Sequence, residues 1–592
     1  MFLPSPDRPF SIRVTRAETA SSRAGAGGAL WALGWWLWIV ECAGALAVLL
    51  GKSASGCSDD RDSHVLTYTD NRGTVCTMDK TVDIDALGRV IRKTYSRSTG
   101  VIGTTEQTFE FDGLSRATRM TDDNGGGAAD LSVIVCTYDS ISRCASEDQI
   151  LGADSATVAK QYDDESNLIQ LTYPTAIQGG AARRVTFGYD VLNRRNAVEE
   201  GVGSGSGHDI IPSGRVNDLA FYSFRGPGRI NQRKYRLELA TPMSTTYGYD
   251  DDRRVTQIKH GGLLNHGSPQ DLTFDYTYDR AGATTSENAV HENKGADLYT
   301  FDSQYRLRTE SREATGNVLP TNNEAGNPAI PTSNFSDERQ WSLDGVSNWV
   351  GLTEGAPGAQ TTTARTINNL NEYTFVGPTK REHDANGSLL DDGAFTYGYD
   401  ALNRLVSLTR KSDGVVSQYF YDCKNRRVRR VVGDGGFDAA VTDGLPDADL
   451  RYFYNGGVVI EEHDQTLTPG QIAAMGSTNN TIRQYVYGGR GERIEVTKLG
   501  SIHRRYYFGK AGDSVAALAD EFANQTHYYD YTANGKMKSV TAGPNEIFFD
   551  AEIAADDTTV AITGPDLDFG AYGTGGCELD AEGRDDANDD PG

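Results

Sequence analysis

The stretch TDGLPDADL, residues 442–450, sets Asp443, Asp447 and Asp449 close together, three hard oxygen donors of the kind that coordinate calcium. The Asp-x-Asp pair that would open a full calcium loop is missing upstream, and Asp438 stands too isolated to replace it. These three are weak calcium candidates, and the plainer reading is a solvated insertion between strands. Softer metals have less to work with. The 9 histidines fall in no ligand or triad spacing. The 7 cysteines (Cys42, Cys57, Cys76, Cys136, Cys144, Cys423 and Cys577) contain no C-x-x-C pair, so zinc spacing is absent and a disulfide framework is not implied. In GVGSGSGH, residues 201–208, neither Ser204 nor Ser206 has the flanking glycines of a nucleophile elbow. GKS at 51–53 ends like a phosphate-binding loop, but Leu46 stands where that loop needs glycine. Carboxylates are too numerous to single out a glycosidase pair. No catalytic residue, metal or cofactor is assigned.

One residue set does recur. An aromatic residue is followed by Asp, two variable residues, then Gly, Asn or Ser, and then Arg. Its clearest copies are Tyr138-Asp139-Arg143, Tyr189-Asp190-Arg194, Tyr249-Asp250-Arg254, Tyr399-Asp400-Arg404 and Tyr421-Asp422-Arg426. Further copies centre on Asp85, Asp112, Asp163, Asp279, Asp302, Asp344 and Asp384. A type I turn favours Asp at its first position, where the carboxylate accepts from backbone N–H groups. Gly or Asn three residues on tolerates a left-handed backbone. Such a turn with a bulge closes a β-hairpin, and the Arg begins the returning strand within reach of the turn carboxylate. A ligand-binding ladder is the alternative use of this set, but turn and strand rules already account for every position.

The elements follow from the spacing. From Asp85 to Asp190 the anchors recur about every 25 residues, enough for two strands of six to eight residues and two turns. A single hairpin is marginal in water, so each copy must pair with its neighbours, with the tyrosines stacking in register from one hairpin to the next. The 66 glycines and 29 tyrosines fit an all-β chain of strands and tight turns. With 82 acidic against 57 basic residues the net charge is −25, which repels phosphate backbones and makes nucleic acid a poor partner.

The amino-terminal part reads differently. ALWALGWWLWIVECAGALAVLL, residues 29–50, carries Glu41 as its one charge and is long enough to cross a bilayer. Arg8, Arg13, Arg16 and Arg23 precede it, a flank that stays cytoplasmic. Signal anchor, cleaved signal peptide and lipoprotein signal with Cys57 as the acylated residue are all open readings. Each places the rest of the chain outside the cytoplasm, membrane-anchored, secreted or on the cell surface. The expected layout is a basic segment (1–28), the apolar helix (29–50), a linker (51–80), a repeat region (81–540) and an acidic, degenerate or truncated tail (541–592).

YDALNRLVSL at 399, YDVLNRRNAV at 189 and FDGLSRATRM at 111 resemble the RHS/YD repeats of bacterial Rhs polymorphic toxins, toxin-complex C subunits and teneurins. WSLDGVSNWVGLTE at 341, INNLNEYTF at 367, YFYNGGVVIEE at 452, YVYGGRGERI at 485 and YYDYTANGKMKSV at 528 follow the order common in bacterial members. The resemblance implies a long β-sheet wound into a hollow shell. In toxin members that shell encloses a toxin domain released by an aspartate-dependent self-cleavage core. Here Glu578-Leu579-Asp580-Ala581-Glu582 begins like that core, but the Tyr/Arg-rich remainder and the cleavage aspartates do not follow. The resemblance therefore implies a non-enzymatic structural shell or surface-display scaffold, or the carrier part of a polymorphic toxin. An enclosed cargo or a plug from another chain is the expected partner. A cell-surface adhesin that binds glycans is the alternative.

Overall fold

A computed structural model of the chain describes residues 57–58, 65–542 and 561–563, apart from internal stretches of which 201–217, 316–333 and 434–447 are the longest. The apolar segment 29–50 and its basic flank, the stretch 201–208, Asp443, Asp447 and most of the tail 541–592 lie outside the described residues. Among the described residues no helix is long and apolar enough to cross a membrane; the longest is Pro469–Ala474.

The described chain is all-β. A 25-stranded sheet runs from Cys57–Ser58 to Thr379–Lys380, and a 15-stranded sheet from Glu382–His383 to Ala561–Thr563. Strands pair antiparallel with their neighbours in sequence, as Glu106–Phe111, Ala117–Asp123, Leu131–Tyr138 and Cys144–Leu151 do. The departure is the final pair, in which Met537–Ala542 and Ala561–Thr563 run parallel. This meander follows from the sequence, because each repeat closes its own hairpin before the next begins. The repeat sheet also starts upstream of the expected boundary at residue 81: Val65–Thr69 pairs with Val75–Asp79 across a turn at Asp70–Thr74.

Side chains that alternate along the strands build a core between the two sheets. Val158, Val185, Val198 and Phe274 from the first sheet share one cluster with Ile460, Val486 and Phe508 from the second. Polar groups stitch the same seam. Tyr173 Oη donates to the Tyr485 carbonyl at 2.7 Å and Tyr235 Oη to the Tyr507 carbonyl at 2.8 Å. The buried Arg183 guanidinium lies 2.9 Å from Glu200 and 3.0 Å from Glu495. The partners advance together along both sheets, from Asp122 with Arg404 to Arg312 with Asp530.

Candidate functional site

The backbone turn of the recurring set is built the same way at Asp139, Asp163, Asp279 and Asp384, with or without the Arg. At Asp139 the backbone N–H donates to the Arg143 carbonyl, and the Asp139 carbonyl accepts from Ser142 N–H. Ser142 has φ 72°, the left-handed conformation that explains Gly, Asn or Ser at this position. The Asp139 carboxylate closes the turn: Oδ1 accepts from the backbone of Ile141 and Arg143, and Oδ2 accepts from Arg143 Nε at 2.6 Å. Asp190–Arg194, Asp250–Arg254, Asp400–Arg404 and Asp422–Arg426 repeat this clamp at 2.6–2.7 Å. The Asp–Arg contact is present at Asp139, Asp190, Asp250, Asp400 and Asp422.

The Arg also reaches sideways. Arg143 Nη1 donates to the carbonyl of Asp163, the next anchor, at 2.6 Å. Arg116 does the same to Asp139, Arg254 to Asp279 and Arg404 to Asp422. Each guanidinium also lies over the aromatic ring of the following copy: Arg116 over Tyr138, Arg143 over Tyr162, Arg254 over Tyr278 and Arg404 over Tyr421, at 4.7–5.0 Å. The tyrosine hydroxyl completes the link by donating back to the preceding hairpin, Tyr138 to the Ala117 carbonyl, Tyr189 to Leu168, Tyr249 to Ile230 and Tyr421 to Leu405. The tyrosines therefore do not stack on one another as expected. Arginine is interleaved between them, because a cation over a π-face is favourable where bare rings two strands, about 10 Å, apart would not touch. Tyr399 follows the Asp384 copy, which has Ser388 in the Arg position, so its ring has no such arginine before it.

Electrostatics separate two kinds of anchor. The backbone N–H of the Arg four residues on, together with its side chain, holds the carboxyls of Asp85, Asp139 and Asp302 below the usual carboxylate range. Asp400 goes the other way. Burial raises it despite Arg404, because the first sheet closes over this turn. Arg404 reaches Asp122 at 3.1 Å, and Gly103, at φ +84°, leaves no room for a side chain beside Asp400.

Asp449, the described member of the calcium candidates, is held by Arg429 at 2.7 and 2.6 Å through both carboxylate oxygens. A guanidinium in that position opposes a divalent cation. Among the described residues no group of three or more His, Cys, Asp or Glu side chains is placed to hold a metal ion. Some anchors escaped the sequence pattern. Asn368 accepts from the backbone of Leu370 and Glu372 and donates to the Glu372 carboxylate, so acceptor and donor are exchanged. Asp520 closes the same turn with Asn524 in the Arg position. Admitting Asn as first residue and Glu as fifth would have found Asn368; Asp520 also needs Ala, here Ala523, admitted as fourth.

No family model matches the chain. It is similar to the tRNA3(Ser)-specific nuclease WapA of Bacillus spizizenii, 27% identical over 206 residues that make up 34% of this chain and 8% of that protein. The tRNA nuclease WapA of Bacillus subtilis is 26% identical over 206 residues, with the same shares. Among solved structures, the crystal structure of TcdB2-TccC3 matches 80% of this chain and 24% of its own at TM-score 0.57 and 13% identity. The Photorhabdus luminescens Tc holotoxin pore with the TccC3 D651A mutation matches 81% of this chain and 25% of its own at TM-score 0.54 and 14% identity. The chain thus spans under a tenth of the curated relatives and about a quarter of the structural neighbours. Repeat, turn geometry and these likenesses together support the resemblance of the chain to the RHS/YD-repeat family.

Proposed function

We propose that this chain is the shell-forming carrier part of a polymorphic-toxin-like protein, a structural wall that shields a polypeptide outside the cytoplasm. The observation that carries this reading is the lateral link. Where a repeat carries the Arg, that Arg and the aromatic ring of the next copy fix the next hairpin, a device for extending a sheet indefinitely. The described polar clusters are spent on that wall. Arg183, Glu200 and Glu495 join the two sheets, and every repeat anchor is closed within its turn. The curated relatives named as tRNA nucleases and the Tc toxin structures support a toxin context, and the nuclease names belong to those proteins.

A test is to append a peptide with a single protease site after residue 592 and measure its cleavage in the folded and the denatured protein. The carrier reading expects the site to be shielded until the protein is unfolded. Equal cleavage rates in both states would contradict it.

A further inference from the structure

The hairpin around Asp139 carries two thiols. Cys136 lies on Leu131–Tyr138 and Cys144 opens Cys144–Leu151; Cys144 is registered opposite Tyr138, and Cys136 opposite Glu147. A bulge between Thr137 and Tyr138 brings Cys144 onto the face that Cys136 and Tyr138 share. Cys136 and Cys144 are therefore diagonal neighbours on one face of the hairpin. Cys136 is buried and Cys144 half-buried, so a reagent meets Cys144 first. The Cys136 thiol and the nearby Lys160 favour the Cys144 thiolate and hold it below the ordinary thiol range, against the opposing effect of burial. On losing its proton Cys144 gives up a 3.5 Å contact to the Ser146 carbonyl. The other described cysteines have different surroundings: Cys76 is beside Tyr95, and Cys423 Sγ donates to the Thr121 carbonyl.

This pair sits on the seam between the sheets. Glu147, the register partner of Cys136, forms ion pairs with Lys424 at 2.5 Å and Arg426 at 2.7 Å, both from the second sheet. We propose that Cys136 and Cys144 are a reversible dithiol–disulfide site, oxidised by small-molecule disulfides, whose state is transmitted through Glu147 to the seam. The Cys144 thiolate attacks one sulfur of the disulfide, breaking its S–S bond and releasing one thiolate. Cys136, giving up its proton, then attacks Cys144 Sγ, forms the protein disulfide and releases the second thiol. Two protein thiols are oxidised and one external disulfide is reduced to two thiols, so electrons and protons balance. Diagonal neighbours in an antiparallel pair have Cα atoms about 7–8 Å apart, beyond the roughly 4.4–6.8 Å that a disulfide accepts. Closing the bond must therefore draw the two strands together next to Glu147, and the resulting strain makes the bond easy to reduce.

The test treats the reduced full chain with oxidised glutathione, blocks remaining thiols, and maps disulfide-linked peptides by mass spectrometry. A Cys136–Cys144 link is expected, lost again in reduced glutathione. Cys136→Ser should leave Cys144 as a mixed glutathione disulfide, and Cys423→Ser should leave the link unchanged. Backbone hydrogen exchange at Lys424 and Arg426 should rise several-fold on oxidation. No link, a link to Cys423, or a link that resists reduced glutathione would overturn the site. Unchanged exchange at Lys424 and Arg426 would overturn its coupling to the seam.

Discussion

At the scale of single residues, the chemistry rests on one guanidinium that does three jobs. Arg143 chelates Asp139, donates to the Asp163 carbonyl and covers the Tyr162 ring. A lysine keeps the charge but has neither the fork nor the flat face. Arg143→Lys should therefore lower the urea midpoint nearly as far as Arg143→Ala; a lysine variant that unfolds like the wild type would show that charge alone suffices. Acid should act unevenly. The carboxyls of Asp85, Asp139 and Asp302 are depressed in the fold, so their contribution is present above the unfolded carboxylate value and lost as pH falls through the folded one. Asp400 is raised by burial, so its contribution is fully present below the unfolded value and declines as pH rises through the folded one. Hydrogen exchange at acid pH should thus open the Ile141 and Arg143 amides while leaving those of Leu402 and Arg404 protected; equal loss would contradict the contrast. Tyr305, at φ 59°, stands where most other copies have Gly, Asn or Ser. Tyr305→Asn should relieve part of that strain and stabilise the chain by about 0.5–1 kcal/mol in thermal melts.

At the scale of elements, the hairpins were legible in the sequence and their packing was not. Asp at the first turn position, a left-handed residue three on and Arg after it are local rules, so Asp139, Ser142 and Arg143 announce their own geometry. The partner that buries Asp400 lies about 300 residues away in Gly103 and Asp122, and no periodicity in the chain points to them. The same distance hides Glu147 from Lys424 and Arg183 from Glu495. Asn368 and Asp520 were missed for a different reason: the Asn368 turn exchanges donor and acceptor with Glu372, and the Asp520 turn keeps them but has Asn524 where the pattern has Arg. Two substitutions probe the buried turn. Arg404→Met would leave Asp400 and Asp122 buried without their cation and should cost about 3–5 kcal/mol in denaturant unfolding, far more than Arg116→Met at a solvent-facing turn. Gly103→Ala would set a methyl group 2.7 Å from the Asp400 Cβ and should cost about 1–3 kcal/mol. A near-neutral result for either would mean that the two sheets do not meet at this turn.

At the scale of the whole molecule, one structural sentence repeated along the chain gives a long antiparallel strip, and the strip returns on itself so that its later hairpins lie on its earlier ones. A wall of this kind is a use for many repeats with the same residues at the same places, because every copy solves the same joining problem. The carrier reading requires more than a wall: it requires a space behind it. The most direct measurement is a cryo-electron-microscopy map of the full chain at a resolution that separates strands. The account predicts a curved strip of hairpins bounding an unfilled interior, with Arg143-type links visible between consecutive turns. A density in which the two sheets close into a solid sandwich along their whole length, leaving no interior, would contradict it.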